Sequence, residues 1–548
     1  MIFGAEALGI VPFGDFQTLD QSTQPKIAEL FQRPDRRRYL LVQVEPWSDT
    51  INAVITRNFA SGISRISGSS ALWDPRAVES YNVTTSIVES LLALGGPGRS
   101  AYGTIQIAIA DGAKDELVFE KLYDGRKIRV WLGGDPNEGG WTFADYVEVF
   151  NGRAGNVRWN ERILDLIVRD PATRLDVPLQ RNLYAGTGGD EGGDDLKGKP
   201  KPIGLGRVLL APPVLVDREF LIYQLNDGAI LGAHSAADGD AIYDRGDAYI
   251  SDGNLPSVAN LRAWTAVASH YITDNALGLI RLGSIPTGVL GVRFRGATES
   301  GVFREKRGEL IKFLLKARAS FVDAEIDLAA IAALDADART CHYYSANPTT
   351  VAESVDALLK PRGYRIFDPT GRFVAGLISI GSGATTIQPP ALVSMTREET
   401  PLPSYLISLG YARNWIPVRE ADLATPETTE IDRDFAINEY RRVTVKDDLI
   451  WNPATQTGDH PDAQPLEVNT LLTDAEDAQI EVNELMALIG PTRDLYTAVC
   501  QRIQFRFRPG QSVRVVYPRY GLAFGKVFVI LSVSEAWRSG RTTLQLLG

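Results

Sequence analysis

Apolar residues alternating one-for-one with polar ones mark both ends of this 548-residue chain. That period of two restricts those ends to pleated sheets with one buried face. Near the start, Thr104-Ile105-Gln106-Ile107-Ala108-Ile109 keeps it. Near the end, Val513 and Val515, then Val527, Val529, Leu531 and Val533, keep it again, and Ile503, Phe505 and Phe507 predict one more strand. Residues 39–44, 51–55, 127–132, 146–150 and 162–168 read as further strands, with a short helix expected at 115–122. Strands of this kind, rich in β-branched residues and closely spaced, build antiparallel barrels or sandwiches.

Between the ends the period changes. Over residues 304–360 it shifts towards 3.6: Ile311, Leu314 and Leu315 share one helix face, and Lys312 and Lys316 lie on another. Thr350 and Glu353 make a capping box before Val355, Leu358 and Leu359, and Pro361 ends that helix. A hairpin follows, with its turn at 368–371. Thr473 and Glu476 predict a second capped helix at 473–489, stopped by Gly490-Pro491. Residues 186–198 hold six glycines and four acidic residues, too little apolar surface to offset backbone entropy, and predict a solvated linker. The chain therefore divides into an extended N-terminal arm (1–38), a β-barrel domain (39–185), a Gly-rich linker (186–202), a β-rich inserted domain (203–298), a helical or α+β domain (299–385) and a second β-barrel domain (386–548) carrying the helix 473–489. The fold class is mainly β with α+β insertions.

Composition removes several functions. The 57 basic and 68 acidic side chains leave a net charge of −11, so the chain has no general basic footprint for nucleic acid. Two cysteines, Cys341 and Cys500, make neither a disulfide framework nor a structural zinc site. No apolar run approaches a membrane span, and the first residues lack the basic start and apolar core of a secretion signal, so a soluble, reduced chain made in a cytoplasm is expected.

The local motifs are weak. Residues 193–199 nearly spell a phosphate-binding loop, but Pro200 stands where the metal-binding hydroxyl belongs, and a solvated linker is the better reading. Asp238, Asp240, Asp244, Asp247 and Asp252 invite a calcium reading, yet Ile242 and Tyr243 occupy positions that need an oxygen ligand and a glycine; hairpin turns explain them. Cys341 and His342 are sequence neighbours and so point to different faces, which keeps them from pairing as thiolate and base. His234, His270 and His460 are scattered, and no HExxH, GxSxG or paired CxxC occurs. Arg502, Arg506, Arg508, Arg514 and Arg519 suggest a basic stripe, read as a solvated strand face or a contact with an acidic neighbouring subunit. No catalytic, cofactor-binding or metal-binding residue is assigned.

The two β ends share an order of features. A short helix, then Gly125-Arg-Lys-Ile-Arg-Val130, a strand with Val147 and Val149, Trp159, and Arg162 with Leu164 and Leu166 stand in one. A helix, then Gly510-Gln-Ser-Val-Arg-Val515, Val527 and Val529, Trp537, and Arg541 with Leu544 and Leu546 stand in the other. The spacings differ, so both a duplicated domain and generic barrel texture remain open. If duplicated, three chains place six similar modules around one axis, a match for a sixfold tube.

Further motifs carry a resemblance. Gly155-Asn-Val-Arg-Trp159, Leu164-Asp-Leu-Ile-Val-Arg-Asp170 and Leu175-Asp-Val-Pro-Leu-Gln180 close the first β domain. Lys199-Pro-Lys-Pro202, Gly204-Leu-Gly206 and Pro212-Pro-Val-Leu-Val-Asp217 follow. Pro509-Gly-Gln-Ser-Val-Arg-Val515, Gly525-Lys-Val-Phe-Val529 and Thr542-Thr-Leu-Gln-Leu546 close the chain. In these and in domain order, the chain from about residue 40 resembles the tail-hub (baseplate-hub or tail-tip) proteins of tailed bacteriophages. The resemblance implies a structural, non-enzymatic virion protein, located at the tail tip or baseplate and assembled in the host bacterial cytoplasm. It implies a homotrimer in which two related barrels per chain form a pseudo-sixfold ring continuing the tail tube. It further implies partners in the distal tail protein, the tape-measure protein and fibre or tip proteins, DNA in transit only through the lumen, and no cofactor. The last strand ends at Gly548 without the fibre-like extension of longer tip proteins, so receptor recognition is not expected of it. Two readings from other classes stand beside it: a tail-associated cell-wall hydrolase of glycosidase type, needing two carboxylates across a cleft, and a carbohydrate- or receptor-binding β protein, expected as a stable monomer.

Overall fold

The alternating segments at the two ends form two large sheets, each curled into a half-barrel, in a chain that is mainly β. The computed structural model describes residues 25–33, 36–63, 65–79, 82–88, 96–119, 121–299, 301–336, 338–383, 385–400, 402–424, 431–536 and 539–548. The early strands are β1 (Arg38–Val44), β2 (Arg57–Ala60), β3 (Ala77–Glu79), β4 (Asn82–Ser86), β5 (Arg99–Tyr102), β6 (Ile105–Ala108), β7 (Lys127–Gly134), β8 (Val147–Trp159) and β9 (Ile163–Arg169). Seven of them form the first sheet, in the order β2-β1-β7-β8-β9-β6-β3 with antiparallel neighbours throughout. Their period of two places Ile105, Ile107, Ile128, Val130, Leu164 and Leu166 in one core with Phe59 and Phe150.

The N-terminal arm is not wholly extended. Residues 1–24 lie outside the described residues, but α1 (Pro25–Gln32) is a helix. Ile27, Leu30 and Phe31 recur at helical spacing, and all three are buried in the first core. The helix expected at 115–122 is shorter, Glu116–Phe119, and gives way to the strand Lys121–Leu122.

Residues 186–202 are mostly exposed or half-buried and fold into defined turns. Tyr184 N–H donates to the Lys199 carbonyl at 2.9 Å, and Gly198 N–H donates back to the Tyr184 carbonyl at 2.9 Å. Glu191 accepts from Ala185 N–H at 3.0 Å and pairs with Lys201 at 2.6 Å. Left-handed glycines let the chain fold back on itself, so hydrogen bonds replace the missing apolar burial.

The inserted region beyond it contributes a six-stranded and a five-stranded sheet, among whose strands are β10 (Arg207–Ala211) and β11 (Leu290–Glu299). Next come α2 (Arg307–Phe313), α3 (Leu328–Leu334), α4 (Val351–Leu359) and the hairpin β12 (Gly363–Phe367) with β13 (Phe373–Leu377). The Thr350–Glu353 capping box forms: Glu353 N–H donates to Thr350 Oγ1 at 3.2 Å, and Thr350 N–H donates to Glu353 Oε2 at 2.8 Å.

The closing strands are β14 (Thr385–Ile387), β15 (Leu392–Glu398), β16 (Ser404–Tyr411), β17 (Arg441–Lys446), β18 (Gln464–Asn469), then, after helix α5 (Ala475–Ile489), β19 (Leu495–Gln501), β20 (Ser512–Val515), β21 (Lys526–Ala536) and β22 (Arg541–Leu547). The second large sheet runs β14-β20-β21-β22-β19-β15.

Three expectations change here. The helix assigned to the second barrel, with β16 to β18, instead shares the central core: Ile407, Leu409, Val482 and Leu485 pack with Leu310, Leu358 and Phe373. Its N-cap is Asp474, and the Thr473 hydroxyl has no hydrogen-bond partner, so the Thr473–Glu476 box does not form. Residues 503–508 are not a strand. Arg502 and Phe505 have φ of 66° and 55°, and Ile503, Gln504 and Phe505 are all buried, because this loop is wedged between the two sheets rather than pleated.

Candidate functional site: a duplicated wall of two clasped sheets

The same five-strand path occurs in both large sheets. In the first, β7, β8 and β9 form a meander, β9 pairs with β6, and β6 pairs with β3. In the second, β20, β21 and β22 form a meander, β22 pairs with β19, and β19 pairs with β15. Every pairing is antiparallel in both copies.

The correspondence extends to single residues. Gly125 and Gly510 precede the first meander strands, with φ of +71° and +87°, a conformation that side-chain-bearing residues rarely adopt. Gly125 N–H donates to the Ala154 carbonyl at 2.9 Å, and Gly510 N–H donates to the Ile530 carbonyl at 2.7 Å. In return Ala154 N–H donates to the Arg126 carbonyl at 2.6 Å, and Ile530 N–H donates to the Gln511 carbonyl at 2.9 Å. The register with the last strand slips just after these residues, between Ala154 and Val157 in one copy and between Ile530 and Ser532 in the other. A bulge at the same place bends both middle strands and curls both sheets. Ile128 and Val130 point inward with Arg129 outward, as do Val513 and Val515 with Arg514 outward. Leu164 and Leu166 match Leu544 and Leu546. Trp537, the counterpart expected for Trp159, lies outside the described residues. The helix α5 precedes β19 rather than β20, so it is not the counterpart of Glu116–Phe119.

Both copies also carry their excursion at the same point, between the strands β3 and β6 in one and β15 and β19 in the other. The first excursion crosses to the second sheet. β4 pairs with residues 532–536 of β21, continuing the edge where β20 leaves off, and β5 pairs with β4. In exchange, Phe505 from the second sheet's β19–β20 loop is buried in the first core, 5.8 Å from Phe31. Beside it, Arg38 donates to Gln504 at 2.6 Å, and Glu535 accepts from Phe505 N–H at 2.9 Å and from the Thr542 hydroxyl at 2.7 Å. Burial pushes the Glu535 carboxyl up to about 7, against those two donors and the Arg38 charge. The sheets are thus clasped from both sides.

The central body is locked by ions. Glu481, with no exposure, meets Arg362 at 2.7 Å, Arg339, and Arg307 at 3.7 Å. Burial works against its charge, but the three guanidinium groups hold its carboxyl below the ordinary value. Glu484 takes Arg339 at 2.7 Å and also meets Arg362.

Among the described residues, the groups singled out in the sequence are engaged in local contacts. Residues 193–199 form turns with no helix after them. Asp238 and Asp240 each reach Arg295 at 3.0 Å, Asp244 caps Thr287 and Gly288, and Asp252 meets His270 at 2.8 Å; among the described residues no group of three or more potential ligands gathers. Cys341 is buried, its thiol pushed up to about 11 by that burial despite Arg307. His342 packs against Trp415, its ring centroid 6.4 Å away, and burial lowers it to about 4. His234 meets Asn275 and His460 meets Thr492. Of the arginines read as a stripe, Arg508 pairs with Asp327 at 3.2 Å, Arg506 lies over Phe507, and Arg519 lies over Tyr520. Glu148, Asp368 and Glu535 line a crevice between the sheets, and its volume of about 50 Å³ is too small for a sugar ring.

No protein-family model matches the chain, and neither does any curated protein. Among solved structures, it is similar to the tail protein from Neisseria meningitidis MC58, at 12% identity over 92% of this chain and 96% of that one, with a TM-score of 0.35. It is similar to the 43 kDa tail protein of prophage MuSo2 from Shewanella oneidensis, at 10% identity over 93% of this chain and 98% of that one, TM-score 0.36. A chain of the virion of a native gene transfer agent particle matches at 14% identity over 64% of this chain and 84% of its own length, TM-score 0.37.

Proposed function

We propose that this chain is a structural protein of a phage-type tail, that three copies form the hub at its distal end, and that it has no enzymatic role. One observation carries the proposal: the repeated five-strand path with its matched glycine turns and bulges at Gly125 and Gly510. A chain holding two equivalent sheets supplies six equivalents when three copies close around an axis, so a threefold tip fits a sixfold tube. The clasp fixes the two sheets relative to one another, as neighbouring staves of one wall require. The central body and inserted sheets face outward, where fibre or tip partners meet them. The net charge of −11 suits a lumen that must release DNA rather than retain it.

Immunogold labelling of purified particles with antibody against this chain tests the proposal. Gold confined to one end of the tail is expected. Gold absent from particles, or spread along the tube, overturns it.

A further inference from the structure

A cavity of about 500 Å³ lies where the inserted sheet, the α2 and α3 loops and the base of α5 meet. That volume falls within the ~300–1,000 Å³ typical of small-molecule sites. Its wall presents Arg207, Arg293 and Arg441 with Glu305, Thr473 and Asp474.

Arg207 on β10 and Arg293 on β11 stand on the same face of one sheet, set by the pairing of Arg207 with Arg295. Each arginine is positioned by a contact that uses only part of its donor set. Arg207 Nη1 donates to the Asp238 carbonyl at 2.8 Å, and Arg293 Nε donates to the Leu209 carbonyl at 3.3 Å with its guanidinium over Tyr243. Arg441 pairs with Asp432 and lies over Phe435, 5.1 Å from the ring centroid. A guanidinium has five N–H donors, so each retains others for the space it lines.

The second observation is independent of charge. Thr473 also lines the cavity; it is only 8% exposed, and its hydroxyl oxygen is buried with no hydrogen-bond partner. A buried hydroxyl left unpaired destabilises the free protein. Next to it in sequence, Asp474 accepts from the Thr340 hydroxyl at 3.0 Å and retains acceptor capacity.

We infer that this cavity binds a small anion that also carries hydroxyl groups, of the class of a sugar phosphate or a sugar acid. The three arginines take the phosphate or carboxylate. Glu305 and Asp474 repel a bare polyanion but accept sugar hydroxyls.

Titration calorimetry on the full chain with glucose 6-phosphate, glucuronate, glucose and inorganic phosphate tests this. Both anionic sugars are expected to bind more tightly than glucose or phosphate. Arg293→Gln is expected to weaken them about tenfold. Arg207→Gln is expected to weaken them to a similar extent. No binding by either anionic sugar, equal binding by glucose or by phosphate alone, or variants that bind like the parent overturn the inference.

Discussion

At the scale of single residues, Glu535 is the junction's titrating group. Its folded carboxyl, at about 7, lies above the ~4.3 of an unfolded glutamate. A raised folded value means that its contribution is fully present below the unfolded value and is lost as pH rises through the folded one. Glu535→Gln keeps an acceptor for Phe505 N–H while removing the charge. Calorimetry from pH 4 to 8 is therefore expected to show the variant close to the parent at pH 4 and melting several degrees higher at pH 8. A difference that stays constant with pH contradicts the assignment. Sequence could not single this glutamate out, since its burial comes from Phe505, Thr542 and Arg38, which are remote or merely adjacent in the strand pattern. Caps show the same divide. Thr350 and Glu353 form the box their spacing predicts, whereas Asp474, one residue beyond Thr473, takes the N-cap of α5.

At the scale of elements, alternation located strands well wherever one face is buried, as for β6, β7 and β9. It failed for residues 503–508, where apolar side chains alternate but fill a wedge between two cores. Phe505 belongs in sequence to the second sheet and in space to the first core. Phe505→Ala is expected to cost about 3–5 kcal/mol, as for other buried aromatic truncations. Hydrogen exchange is expected to rise in α1, β1 and β4, the elements it braces, more than in β16 to β18. Uniform exchange, or no loss of stability, contradicts the clasp. The crossing of β4 was not legible: Asn82-Val-Thr-Thr-Ser86 is an ordinary strand sequence, and nothing local says that Thr84 bonds Ser534.

At the scale of the whole molecule, the order of features at the two ends was visible in sequence, but unequal spacings left duplication unresolved. The unequal spacings arise because the β7–β8 hairpin carries insertions relative to the β20–β21 hairpin: β7 spans Lys127–Gly134 against Ser512–Val515 for β20, and the connections that follow run over 135–146 and 516–525. Strand order and matched bulges survive such insertions, whereas residue spacing does not. The wall is therefore a property of the topology, and its use in a ring follows only if copies meet edge to edge. Cryo-electron microscopy of the tail end measures this most directly. The account requires three copies around one axis, the two sheets of each alternating at equal radius in steps of about 60°. A single copy, or sheets standing at different radii, contradicts it.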